Sequence, residues 1–479
     1  MKKDVGLFVL AAASVAAYAL AARGAGFPLD DAWIHQVYAR NLALHGQWAF
    51  VLGQPSAGST SPLWTVLLAA GYALRLDYYV WTIGLNALLL GAVAWLVYRV
   101  SGVWWAGALA AVEWHLVWAA ASGMETVLFC VLVMAAWYAT IAGATRSHAI
   151  LGGVLIGLAV WTRPDGLTLL PFVAAAAWRA GDSWGNWLKR LSRLAGGAGA
   201  VILPYFLFNF VLSHQFWPNT FFAKQAEYAS LRALPLWWRL AEVFAAPLVG
   251  ALLVLVPGAW LAVKGGRKSG HEGRPYGWMV GWAAAFLLAY ALRLPVTYQH
   301  GRYLMPVIPV LVAVGVSGMA GWVCLSAPQT WRRVLSRAWV LGAGGVAVGF
   351  WVLGAGALAA DVRVVNSEMV ATAKWVAANV PPGAVVAAHD IGALGYFADV
   401  RLVDLAGLVS PQVIPLLDDD GRLWQFVRAG RAAYVITFPG WCPAFTRDPA
   451  LRPVFQTGLL CDPAQPNLHM TVYLLDVGG

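Results

Sequence analysis

Apolar runs of roughly twenty residues, parted by short polar breaks, recur from residue 5 to residue 360 and then stop. A run of that length is what a helix needs to cross the hydrocarbon core of a bilayer. The pattern predicts spans near 5–22, 81–98, 104–120, 125–142, 149–161, 166–178, 197–213, 236–260, 277–292, 303–325 and 338–360, about eleven in all. The run "SPLWTVLLAAGYALR" (Ser61–Arg75) opens with Ser in the N-cap position and Pro at the first helical position. It is short for a crossing and reads as an interfacial or re-entrant helix. Beyond residue 360, "EMVATAKWVAANV" (Glu368–Val380) keeps a helical period until Pro381–Gly383 breaks it. Ala384–Asp390 and Arg401–Gly407 read as short buried strands. The predicted fold class is a polytopic α-helical membrane protein with a small C-terminal α/β domain. Residues 1–360 form the membrane domain, with a first exterior loop at 23–80 that carries helices at 32–45 and 61–75. Residues 361–479 form the α/β domain.

Composition supports the membrane reading: 60% of the chain is hydrophobic and 11% charged, with a mean hydropathy of +0.66. The 27 Trp suit headgroup boundaries. The net charge of +10 is no nucleic-acid footprint, because Lys and Arg gather between spans. The clusters are Lys2/Lys3, Arg179/Lys189/Arg190/Arg193, Lys264/Arg267/Lys268/Arg274 and Arg332/Arg333/Arg337. If 61–75 does not cross, all four share the cytoplasmic face. The C-terminal domain then lies outside. Met1–Ala22 has the form of a signal peptide, with Ala19-Leu20-Ala21 at a cleavage-like position. The chain's repeated return to the membrane favours a retained first helix, in the cell (inner) membrane.

With that parity the unusual polar stretches all face the exterior: "LDDAWIHQVYARN" (Leu29–Asn41), "SGMET" (Ser122–Thr126), "TRPDG" (Thr162–Gly166), "WPNTFFAK" (Trp217–Lys224) and "HGRYLMP" (His300–Pro306). Asp31, His35 and Tyr38 share a helix face. A helix cap explains one of Asp30 and Asp31 and leaves the other for chemistry. Arg163 and Asp165 suit a salt-bridged helix terminus, and Glu125 a helix start. Lys224 and Arg302 lie outside, where the positive-inside rule does not place cations, and suit an anionic headgroup. His389 and Asp390 end a strand before a glycine turn, a place that ligands favour. Cys442 and Cys461 share the exterior compartment and are expected to form a disulfide, with Cys130 and Cys324 free. There is no Walker loop, no Cys/His metal spacing and no Gly-x-Ser-x-Gly elbow. No cofactor is assigned, and a divalent metal at Asp30/Asp31 stays open.

The ordered set "DDAWIHQVYARNLALHG … STSPLW", "SGMET", "TRPDG", "PNTFFAK", "GRYLMP" and "DIGALGYF … VDLAGLVSP" resembles the GT-C superfamily of membrane glycosyltransferases. The likeness is to the mycobacterial terminal arabinofuranosyltransferase and its bacterial relatives. It covers most of the chain, which departs in its short C-terminal domain and in His35. The resemblance implies transfer of a sugar from a polyprenyl-phosphate donor to a glycan, lipid or protein hydroxyl outside the membrane. It implies Asp30 or Asp31 as general base. His35, Arg40, Glu125, Arg163, Asp165, Asn219, Lys224, His300 and Arg302 then attend the donor and its phosphate, and His389 and Asp390 the acceptor. The alternatives are a transporter or flippase of lipid-linked sugars, for which the sequence shows neither half-repeats nor broken helices, and a non-catalytic glycan-binding membrane protein.

Overall fold

The computed structural model describes residues 2–142, 146–178, 182–265, 275–441, 446–458 and 469–476. Cys442 and Cys461 lie outside the described residues, and Cys130 and Cys324 are free. The chain forms two compact units. The first is Met1–Arg23, Ile83–Tyr205 and Leu231–Leu358, and the second is Gly24–Thr82, Phe206–Ser230 and Ala359–Gly479. The second unit joins Ala359–Gly479 to Gly24–Thr82 and Phe206–Ser230, segments that the sequence pattern assigns to the membrane domain.

Among the described residues, five helices are long and apolar enough to cross a membrane: Lys2–Ala21, Tyr78–Ser101, Trp184–Ser213, Tyr298–Trp322 and Thr330–Asn379. A bent pair raises the number to six. Thr126–Ala142, Arg146–Thr162 and Pro164–Ala176 are shorter apolar helices. Expected spans 125–142, 149–161 and 277–292 are single helices, Thr126–Ala142, Arg146–Thr162 and Tyr276–Arg293, outside those five, and others are broken. Run 104–120 is two helices, Trp104–Val112 and Trp114–Ala121. Glu113 stands between them with extended backbone. Its carboxylate accepts from Leu116 N at 3.1 Å and lies 2.9 Å from His115 Nδ1. An acid buried in an apolar run finds its partners by leaving the helix and capping the next one. Run 236–260 bends by 98° between Leu236–Leu248 and Ala251–Lys264. Gly250 at this bend has φ +106, which disfavours any side chain. The expectation of unbroken helices is thereby corrected.

The second unit is built around a five-stranded sheet in the order Arg401–Asp404, Val385–Ala388, Tyr434–Thr437, Thr471–Leu475, Leu451–Gln456. The first three strands are parallel and the last two pair antiparallel. Val385–Ala388 is central to the parallel set, and the chain leaves it first to one side and later returns on the other. That reversal is a topological switch point. Ala387, Val413, Val427, Val435 and Tyr473 fill the core against it. The glycine turn expected after Asp390 is a short helix, Gly392–Phe397. It lies against Asp30–His45, the helix expected at 32–45. Pro62–Ala73 matches the run at 61–75, although the Ser61 side chain makes no cap bond.

Candidate active site

Helix Asp30–His45 begins with Leu29 as its N-cap, so neither aspartate caps its own helix. Asp30 caps another. Its Oδ2 accepts from Gly392 N at 2.6 Å and its Oδ1 from Ala393 N at 2.8 Å. Ten residues on, Arg40 donates to the carbonyls of Tyr396 (2.8 Å) and Gly395 (3.2 Å), with its guanidinium 4.8 Å from the Tyr396 ring. One helix thus places an anion at the N-terminus and a cation at the C-terminus of Gly392–Phe397, each the favoured sign for the helix dipole. Arg40, expected at the donor phosphate, is held here by these two carbonyls. His35 is buried, with Nδ1 3.3 Å from both Ser59 Oγ and Thr65 Oγ1. That ties Asp30–His45 to Pro62–Ala73.

The docking of Gly392–Phe397 has a second effect. It carries His389 and Asp390 to the aspartate pair. Burial raises the Asp30 carboxyl to about 6, partly offset by its two N–H donors and raised further by Asp31. Burial, with Asp30 and Asp31 adding to it, raises Asp390 well above the carboxylate range. Burial lowers His389 to about 4. Lys224 and Glu227 act on His389 and Asp390 as well. Lys224 Nζ lies 3.0 Å from Glu227 Oε2 and 5.6 Å from the Tyr228 ring centre. Four carboxyl groups, one histidine and one lysine therefore share a field in this unit. Two of the acids differ in kind: Asp30 is fixed by backbone donors, while Asp390 is held towards its neutral form.

Asn219 heads helix Asn219–Glu227, with its N donating to Ala57 O at 3.1 Å and its Nδ2 to Leu408 O at 3.4 Å. Leu408 is set by Asp404, whose buried carboxylate accepts from Ala406 N (2.8 Å) and Val409 N (2.7 Å). Asn219 thus anchors Lys224 rather than standing among the charged groups.

In the first unit, Arg163 and Asp165 form a fork, with Nη2 to Oδ2 at 2.9 Å and Nε to Oδ1 at 3.3 Å. Tyr290 OH lies 2.7 Å from Arg163 Nη2, and the Tyr303 carbonyl 3.3 Å. Glu125 and Arg302 are buried in the same unit, and Arg302 Nη2 donates to Tyr303 OH at 3.0 Å. The His300 ring stands 5.1 Å from Trp118 and 5.5 Å from Trp114. Gln299 and His300 have φ of +52 and +60, a strained left-handed pair.

Sequence reading missed Glu113, His115, Glu227, Tyr290, Asp404 and Trp441. Glu113 and His115 did leave a signal, two ionisable groups inside an apolar run. Glu227 follows Lys224 by three residues, the spacing of a helical ion pair. Tyr290 and Trp441 leave none, since aromatics are common throughout the chain. Among the described residues, no group of three or more His, Cys, Asp or Glu side chains gathers as metal ligands.

Solved structures share this architecture. ArnT from Cupriavidus metallidurans, bound to undecaprenyl phosphate, aligns with a TM-score of 0.62 at 17% identity, over 98% of this chain and 97% of that one. The chain shares the fold of this structure. AglB from Archaeoglobus fulgidus, in complex with an inhibitory peptide and a dolichol-phosphate, aligns with a TM-score of 0.59 at 12% identity, over 90% of this chain and 69% of that one. The oligosaccharyltransferase of the same organism, tethered with an acceptor peptide containing the NVT sequon, gives a TM-score of 0.56 at 13% identity, over 91% and 69%. Residues 358–469 match a family model described as Domain of unknown function (DUF8728). No curated protein matches the chain in sequence. Identities this low carry the fold and leave the activity to be argued from the residues.

Proposed function

We propose that the protein is an inverting glycosyltransferase that moves a sugar from a polyprenyl-phosphate donor to a hydroxyl acceptor on the exterior face of the membrane. The observation that carries this reading is the division of labour at the aspartate pair. Asp30 is bound by Gly392 and Ala393 N–H, and Asp31 follows it among the charges of Lys224, Glu227, His389 and Asp390. The fold of ArnT and AglB, solved with polyprenyl-type phosphates, supports it.

In this reading Asp31 is the general base. It takes the proton of the acceptor hydroxyl, whose oxygen attacks the anomeric carbon. The bond from that carbon to the phosphate oxygen breaks, and its electron pair leaves on polyprenyl phosphate. Phosphate departs as a stable anion, so no second carboxylic acid has to protonate it, in contrast to glycoside hydrolysis. Lys224 stabilises the growing phosphate charge. Arg302 remains a second candidate for the donor phosphate, while Arg163 and Asp165 serve each other and Tyr290.

Purified protein supplied with a radiolabelled polyprenyl-phosphate sugar and a cell-envelope acceptor fraction should release free polyprenyl phosphate and label the acceptor. The 98° helix pair favours one second reading, a flippase of lipid-linked sugars, because transporters use broken helices. A flippase moves label across the bilayer of a vesicle and leaves the sugar–phosphate bond intact, which would sink the transferase reading. Orientation is tested apart from chemistry. Reporter fusions near residue 270 and at the C-terminus should report opposite compartments, cytoplasmic and exterior. The same compartment for both would overturn the exterior placement.

A further inference from the structure

The parallel strands of the second unit all end at one edge of the sheet. His389 and Asp390 follow Val385–Ala388, and Phe438 and Trp441 follow Tyr434–Thr437. These two strands flank the switch point, and the crevice outside their carboxyl ends is where open α/β sheets bind ligands. His389 N donates across the crevice to Ile436 O at 3.4 Å. Its ring stands 4.4 Å from Trp441 at 67°, and Phe438 supports the indole at 4.8 Å. Trp441 is nevertheless 49% exposed. Asp390 Oδ2 and His389 Nδ1 are buried and make no hydrogen bond among the described residues. They lie 3.9 Å apart.

An exposed indole face beside two unsatisfied polar atoms and a cluster of acids has a definite chemistry. Buried polar atoms without partners are costly, and a ligand that supplies hydroxyls satisfies them. A flat aromatic face receives the C–H side of a ring whose polar groups point to its edge. Carbohydrates combine both features. Peptide hydroxyls lack the ring, and lipid hydroxyls lack the dense set of donors.

We propose that this crevice binds a sugar ring of the acceptor, stacked on Trp441 and hydrogen-bonded to Asp390 and His389, so that the acceptor is a glycan. The proposal rests on the transferase reading for the word acceptor, while binding itself does not. A neutral Asp390 donates to a sugar oxygen and still accepts, and burial favours that form. A neutral His389 likewise offers one donor and one acceptor.

The test uses the full chain in lipid nanodiscs. Short oligosaccharides of arabinose, galactose, mannose and glucosamine are titrated calorimetrically without donor. A Ser/Thr peptide and a glycerol lipid serve as controls. At least one saccharide should bind and the controls should not. Trp441→Ala should weaken binding about tenfold or more, the scale of an aromatic anchor. Trp441→Phe should restore part of it, and Asp390→Asn should change preference among the sugars. In transfer assays Trp441→Ala should raise the acceptor KM by a similar factor and leave the donor KM and kcat near wild type. Because Trp441 is exposed, these variants are expected to fold, and Trp441→Phe controls for that. No saccharide binding by wild type, or binding and acceptor KM unmoved in Trp441→Ala, overturns the proposal. Saccharide binding through Trp441 in a protein that transfers nothing keeps the crevice and sinks the transferase reading. Active transfer unaffected by Trp441→Ala does the reverse.

Discussion

Asp31→Asn abolishes sugar transfer, with a loss on the order of 10²–10⁴-fold in kcat, while donor binding and folding persist. The size is that of a lost general base. The direction follows from the different duties of two neighbouring acids. Asp30 is engaged by two backbone donors at 2.6 and 2.8 Å. Those two donors favour its ionised form and fix its orientation on Gly392–Phe397. Asp31 is next in the chain and acts electrostatically on Asp30, His389 and Asp390. Asn keeps the size and removes both charge and basicity. Single-turnover transfer measured beside donor binding separates the two effects. Wild-type transfer by Asp31→Asn would sink the catalytic assignment. A loss confined to Asp30→Asn would exchange the two roles and refute the division of labour.

Asp30→Asn should show a different signature, in pH dependence. Burial raises the Asp30 carboxyl from 3.8 to about 6 in the folded protein. A raised carboxyl favours folding most when protonated. Its contribution is complete below pH 3.8 and is lost as pH rises through about 6. Asp404, raised by burial to about 6, adds in the same sense. Wild type should therefore lose stability across that window, and Asp30→Asn should lose less, as read by thermal unfolding at a series of pH values. Identical slopes for the two proteins would mean that Asp30 is not a buried group with a raised pKa.

Much of this was legible because membrane crossing and helix capping leave local marks. The long apolar runs at 2–21, 78–101 and 330–365 are read directly from length and composition. The strands Val385–Ala388 and Arg401–Asp404 appear as short β-branched runs between breakers. Short length and charge together set Pro62–Ala73 apart from the expected crossing helices. Interruptions were less legible. Glu113 lies inside a run read as one span, yet a buried acid needs donors, and the N–H groups at the start of a new helix supply one. The candidate site was legible as a list of residues and illegible as an arrangement. Arg40 looked like any exterior cation until Gly392–Phe397 supplied carbonyls to bind it. His35 sits one turn after Asp31, but it turns to Ser59 and Thr65. Pairing of Asp30 with residues 362 and 363 positions away is a tertiary contact that no local pattern encodes.

Gly392→Ala should damage the site from a position that carries no chemistry. A Cβ at Gly392 would overlap the Asp30 backbone carbonyl and crowd its carboxylate. Neither the backbone nor a carboxylate bound by two N–H groups has room to give. The expected cost is about 1–3 kcal/mol, the usual range for overpacking, and it falls on one joint. Gly392–Phe397 must lift from Asp30–His45, so Asp30 loses its donors and Arg40 its carbonyls. His389 and Asp390, three and two residues before Gly392, move with it. Transfer should therefore fall along with melting temperature. Gly395→Ala should act in the same way, because its Cβ would meet the Phe50 ring. Gly24→Ala, where nothing lies within 4 Å, is the neutral control. Melting temperature and transfer rate of the three variants form the measurement. If Gly392→Ala melts and transfers like Gly24→Ala, the close approach of these two helices does not hold the site together, and Asp30 is not the residue that joins them.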